Sequence, residues 1–190
     1  MRLVLNSRAL GALLTIAIAT ALRAQPSTVI LVRHAEKAAT PANDPGLTPA
    51  GAQRAVDLAV ALSDAHVTAA ITTQLERTKA TAKPVVDAAK ITPVIVPTSS
   101  DMTGHVNAVV AAVAARKPGD VVLVVGHSNT IPLIIAALGG PRMPDLCDAQ
   151  YSGLFVMQLR PNGPPSVVRG KYGAADPPDS DACARTMKTP

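Results

Sequence analysis

Aromatic side chains are almost absent from these 190 residues: there is no tryptophan, and Tyr151, Phe155 and Tyr172 are the whole complement. Binding of single-stranded nucleic acid relies on bases stacking on successive exposed rings, so nucleic acid is excluded as a partner of that kind. Glutamate is scarcer still, with Glu36 and Glu76 alone, and charged residues make up 16% against 48% apolar types. That balance suits one buried core and not a disordered chain. Cysteine occurs twice, at 147 and 183, with no C-x-x-C or similar spacing of a metal site. No apolar run reaches the ~20 residues of a membrane-spanning helix; Ala9 to Leu22 is a nearly unbroken stretch of 14.

That stretch follows Arg2 and Arg8 and precedes small residues, Ala19-Thr20-Ala21 and Leu22-Arg23-Ala24, suited to a signal peptidase. Residues 1–24 therefore read as a cleaved signal peptide, and 25–190 as one periplasmic or secreted domain. An uncleaved anchor or a buried first helix is the plainer alternative. No cysteine follows the run, so no stable membrane anchor is expected after cleavage. The formal charge of +5 loses its meaning with the signal: without Arg2, Arg8 and Arg23, 15 basic side chains face 13 acidic ones. In an oxidising compartment an even cysteine count favours a Cys147–Cys183 bridge, with two buried or free thiols as the alternative.

The rest of the chain alternates between two kinds of segment. Thr28 to Val32 and Asp120 to Val125 are short β-branched runs of the kind buried on both sheet faces, with shorter candidates at Thr68 to Thr72 and Pro93 to Val96. Helices are expected from Thr48-Pro49 to about Ala65, at Leu75 to Ala89 with a kink or early stop at Pro84, at about Thr103 to Arg116, and from Asn129 to Leu138. Gly153 to Leu159 and Ser166 to Arg169 read as a hairpin around Arg160–Pro164, followed by a loop-like tail. The pattern predicts an α/β three-layer sandwich: a mostly parallel sheet with helices on both faces and an antiparallel edge strand.

Ligands of such sheets bind at the carboxyl ends of the strands. Three segments fall there: Arg33-His34-Ala35-Glu36-Lys37, Thr72 to Thr78 with Arg77, and Gly126-His127-Ser128-Asn129-Thr130. Two arginines and two histidines would share one pocket. The arginine fork matches phosphate oxygens and stays charged. A neutral imidazole with one bare nitrogen can attack phosphorus, and a second, protonated one can stabilise the transferring group. Singly, each residue is more often ordinary surface; their recurrence at equivalent strand ends makes a phosphate site. His66 reads as surface, and His105 as a residue that could reach the mouth of the pocket from one turn beyond Asp101. Ser128 and Asn129 either donate to phosphate or cap the helix.

Four blocks in order, LVRHAEK (Leu31 to Lys37), GLTPAGAQRA (Gly46 to Ala55), LERTKATAKP (Leu75 to Pro84) and VVGHSNT (Val124 to Thr130), resemble the histidine phosphatase superfamily, the phosphoglycerate mutase-like fold. The resemblance implies a small, exported, bacterial-type member in which Arg33 and Arg77 bind phosphate, His34 is phosphorylated in turnover and His127 is the second pocket histidine. It also implies that no metal or other cofactor is required. Some members place Asp directly after the second histidine, where this chain has Ser128. Others carry a carboxylate in the loop after the third strand, and Asp101, 24 positions beyond Arg77, matches that arrangement. Asp101 is thus the expected general acid and Glu36 the alternative, with a salt bridge to an arginine as the plainer role of either glutamate.

The implied activity is hydrolysis of a phosphomonoester, on a small phosphorylated substrate or a phosphorylated macromolecule. A mutase-like phosphoryl transferase and a non-catalytic binder of phosphorylated ligands are the alternatives.

Overall fold

The computed structural model describes residues 28–178. The expected signal peptide and Cys183 lie outside them. Thr28–Arg33 forms β1, Pro49–Ala61 α1, Ala69–Thr72 β2, Glu76–Ala89 α2, Val94–Ile95 β3, Met102–Ala114 α3, Val121–Gly126 β4, Thr130–Ala137 α4, Gly153–Gln158 β5 and Ser166–Lys171 β6. The six strands make one sheet in the order β3-β2-β4-β1-β5-β6. The first four pair in parallel, while β5 runs antiparallel to both β1 and β6. The hairpin thus extends an α/β sheet on its outer side, as the sequence pattern predicts.

Alternation along the central strands explains the continuous apolar runs. In β1, Val29 and Leu31 face Val106, Val109, Val113, Ile131, Ile134 and Ile135 of α3 and α4. Ile30 and Val32 face the other way, onto Leu58, Ala82 and Val85 of α1 and α2. With helices on both faces, positions 29–32 of β1 are buried and all apolar.

The helix starts follow local chemistry. Thr48 caps α1, its hydroxyl accepting from Gly51 N–H at 3.0 Å, and Pro49 fills the first turn, where its missing donor costs nothing. Gly51 must be glycine for packing reasons: a Cβ there would collide with the backbone carbonyl of Glu36. The helix α2 continues through Pro84 to Ala89, so the early stop does not occur. It ends instead at Lys90, in the left-handed region with φ 54°.

Candidate active site

The carboxyl ends of β1, β2 and β4 converge. The β1–β4 ladder continues one residue past the strand, with His34 N–H donating to Gly126 O at 2.9 Å. That register fixes His34 beside His127, their ring centroids 5.3 Å apart and the planes at 62°. Both rings are buried, His34 to 4% exposure and His127 to 8%.

His34 Nδ1 lies 2.8 Å from Ala35 O. A carbonyl only accepts, so Nδ1 carries the proton and Nε2 is left bare. Burial pushes the His34 pKa down to about 4 against the Ala35 hydrogen bond, with Arg33, Arg77 and Lys37 adding to the fall. His127 is pushed down to about 3, by burial first and then by His34, Arg77, His105 and Arg33. Both are neutral near pH 7. Thr73 Oγ1 lies 3.3 Å from His127 Nε2 and 2.8 Å from Thr78 Oγ1, tying the histidine to the start of α2.

Arg77 enters from the first turn of α2, opposite Asp44 at 3.9 Å. Asp44 also accepts Glu76 N–H at 2.9 Å, so it takes on the capping role that Leu75 cannot fill. Thr81 links the two arginine-bearing segments: it accepts from Ala35 N–H at 2.9 Å and donates to Arg77 O at 2.7 Å. Arg33 is held more firmly still. Its Nη1 donates to the carbonyls of Cys147, Asp148 and Gln150 at 2.8, 3.1 and 3.0 Å, and its guanidinium lies 4.1 Å from the centre of the Tyr151 ring. The Nε atoms of Arg33 and Arg77 are buried with no hydrogen-bond partner. Burial pulls both guanidinium groups below their ordinary pKa. Two desolvated cations, each with a donor to spare, beside a bare imidazole nitrogen form a receptor for a tetrahedral oxyanion.

The remaining candidates make their hydrogen bonds with other partners. Asp101 is exposed and caps α3, accepting from Gly104 N–H at 2.9 Å. Glu36 is gripped by Arg54, whose Nη2 lies 2.7 Å and Nε 3.0 Å from its carboxylate. Burial pulls the Arg54 guanidinium down, but Glu36 outweighs it and leaves the arginine above its ordinary value. Glu76 pairs with Lys79 on the surface and not with an arginine. His105 is buried, with Nδ1 2.9 Å from Pro97 O. His66 is exposed, and Asn129 sits at the α4 cap position without a capping side-chain bond. Cys147 is disulfide-bonded; Cys183 lies outside the described residues.

Among the described residues no three His, Cys, Asp or Glu side chains gather as a metal-binding group. The pocket residues that motif reading missed are Tyr151, Thr73, Thr81 and the 147–150 turn. Tyr151 carried a signal in its rarity, being one of three rings; Thr73 and Thr81 lay inside the quoted segments, but nothing there marked them out as pocket residues.

Residues 29–102 match the family model of the histidine phosphatase superfamily, branch 1, a span that contains Arg33, His34 and Arg77. No curated protein matches the sequence. Among solved structures, the fold is similar to the protein histidine phosphatase SixA complexed with tungstate, at TM-score 0.59 and 18% identity over 76% of this chain and 96% of that one. It is also similar to the mycobacterial glucosyl-3-phosphoglycerate phosphatase Rv2419c with inorganic phosphate, at 0.59 and 13% over 78% and 98%. Bacillus stearothermophilus YhfR superposes at 0.57 and 18% over 74% and 95%. Such identities speak for the fold alone; the family match, over residues 29–102, makes the segment that carries Arg33, His34 and Arg77 similar to the histidine phosphatase superfamily.

Proposed function

We propose that the protein is an exported phosphomonoesterase that turns over through a phosphohistidine on His34. The family match over residues 29–102 and the fold support a phosphatase or a related enzyme. The observation that carries the finer reading is the bare Nε2 of a neutral, buried His34 set between two arginines whose Nε donors lack a partner. Arg33 and Arg77 hold the phosphoryl oxygens, so the charge that a metal would otherwise supply comes from side chains and no metal is needed. His34 Nε2 attacks phosphorus, the N–P bond forms as the P–O bond to the leaving group breaks, and water then displaces the phosphoryl group from His34. An arriving dianion offsets the two arginines and draws a proton onto His127, which then stabilises the equatorial oxygens.

Asp101 is the proposed donor to the leaving oxygen, and it must exchange its bond to Gly104 N–H to act. Glu36, held by Arg54, is a strut in this reading. The substrate is a small phosphorylated molecule or a phosphorylated macromolecule. The likeness to SixA makes phosphohistidine in a protein one candidate, and the likeness to the glucosyl-3-phosphoglycerate phosphatase makes a phosphorylated sugar acid another. The capping engagement of Asp101 favours one rival reading, a binder of phosphorylated ligands without turnover.

Rapid quench with a 32P-labelled aryl phosphate separates the two, because a good leaving group needs little help from an acid. Wild type should accumulate an acid-labile phosphoenzyme that His34→Ala lacks; a wild type that never labels, or a label that survives in His34→Ala, defeats the enzyme reading. Export is tested separately, by sequencing the amino terminus of periplasmic protein. It should begin near Gln25, and intact Met1 in that fraction would count against a cleaved signal.

A further inference from the structure

After β6 the chain turns back toward the pocket and is fastened there at two places. The first fastening is Arg54, which donates through Nη1 to Tyr172 O at 3.1 Å and Ala174 O at 2.9 Å while its other nitrogens hold Glu36. The second is Asp176. Its Oδ1 accepts from Tyr151 N–H at 2.8 Å and Ser152 N–H at 2.9 Å, and its Oδ2 accepts from the Ser152 hydroxyl at 2.6 Å. Burial, the largest influence, pulls the Asp176 pKa up, yet these bonds and Arg54 together hold it below its ordinary value. The carboxylate is therefore charged and bonded throughout the neutral range.

What Asp176 holds matters more than how tightly. Tyr151 puts its ring 4.1 Å from the Arg33 guanidinium and 6.3 Å from the His34 ring. The residues just before it, 147–150, supply the three carbonyls that fix Arg33 Nη1. Asp176 thus anchors the exit of the turn that supplies these carbonyls to Arg33. Asp176 belongs to neither apolar cluster, and of the two residues that donate to it Ser152 is buried at 1% exposure, so the clasp closes directly on the wall that carries Tyr151.

We propose that Asp176 is a positioning residue for phosphoryl binding: the segment after β6 is a strap that, through Tyr151 and the 147–150 turn, aims the Arg33 guanidinium at the anion. The proposal rests on Arg33 being a phosphate ligand. Asp176 touches no substrate and acts through its neighbours. A guanidinium misplaced by a fraction of an ångström still carries its charge but loses its fork geometry, so affinity for a tetrahedral anion suffers more than folding does.

The test measures tungstate binding by calorimetry, together with kcat and KM for an aryl phosphate, on the full chain. Asp176→Ala should weaken tungstate about tenfold and raise KM by a similar factor, with a smaller change in kcat. Asp176→Asn, which keeps one acceptor oxygen, should recover most of the loss. Tyr151→Leu, which leaves the Asp176 bonds to the backbone in place, should weaken tungstate as Asp176→Ala does, and it serves if the alanine variant does not fold. In an Arg33→Ala background Asp176→Ala should cost nothing further, since the route to the anion is gone. Unchanged tungstate affinity and KM in folded Asp176→Ala, or equal losses with and without Arg33, overturn the strap. A wild type that binds neither tungstate nor aryl phosphate overturns the phosphate-site reading itself, and the strap with it.

Discussion

His34 and His127 are kept neutral by burial, and that has a consequence for stability that can be signed. Their pKa values in the folded chain, about 4 and about 3, lie below the ~6.5 of an unfolded histidine. Above pH 7 neither state holds the extra proton. As pH falls from about 6.5 towards 4, the unfolded chain takes up protons that the native pocket refuses, so stability falls across that window and levels off below the folded values. For His34 the difference corresponds to about 3 kcal/mol at 1.36 kcal/mol per pKa unit. Urea midpoints between pH 7.5 and 4.5 should therefore drop more steeply for wild type than for His34→Ala. Parallel profiles would mean that the imidazole is not held neutral. The same scale decides between the two roles of Glu36. Removing its charge leaves Arg54, at 4% exposure, without its counter-ion, and Glu36→Gln should cost on the order of 3 kcal/mol in urea denaturation. An acid would instead show a loss of kcat that grows from aryl to alkyl phosphates, with stability unchanged.

Between elements, the pocket depends on a few bonds that bridge segments distant in sequence. Thr81, fully buried in α2, accepts from the backbone of the β1 loop and donates to the carbonyl of Arg77. Thr81→Val keeps the shape and strands Ala35 N–H, so it should cost about 1–3 kcal/mol and raise KM for an aryl phosphate as the His34 and Arg77 segments lose their common tie. Unaltered KM and stability together would show that water or a shifted backbone replaces the hydroxyl. Elements and site were not equally legible in the sequence. The strands could be read because a sheet covered on both faces forces continuous apolar runs, His34 and His127 because each directly follows a strand, and Arg77 because it stands in the first turn of the helix after β2. The two-residue β3 was expected longer, since Pro93 and Val96 share its apolar character; Pro93 has no N–H to offer, and Val96 still donates to Thr72 O at 2.8 Å just past the strand. Pro84 signalled an early stop that the packing of Ala82 and Val85 against the sheet overrides. The partners of Arg33 had no local signature, because residues 147–150 reach it only when the β5–β6 hairpin is in place, 114 to 117 positions away.

Over the whole molecule, the part of the chain before α3 and the part after it are joined at the pocket as well as through the sheet. The matched family span ends at residue 102, yet Arg33, inside it, is oriented by carbonyls and a ring that lie beyond it. Cys147 stands at the entry of that turn, with its carbonyl 2.8 Å from Arg33 Nη1 and its sulfur in a disulfide. The other cysteine in the sequence is Cys183, so an intramolecular bridge closes a loop of about 36 residues, worth about 4 kcal/mol in the chain-entropy picture. Reduction should therefore act twice, lowering stability by up to that amount and weakening tungstate binding as the turn that holds Arg33 loosens. Urea denaturation and calorimetry with and without dithiothreitol, set beside a Cys183→Ser variant, check both effects. The variant should behave as reduced wild type under all conditions. If reduction lowers the urea midpoint and leaves tungstate affinity untouched, the bridge braces the fold without reaching Arg33; if non-reducing peptide maps join Cys147 to a second chain, the loop-closure magnitude no longer applies and stability should instead vary with protein concentration.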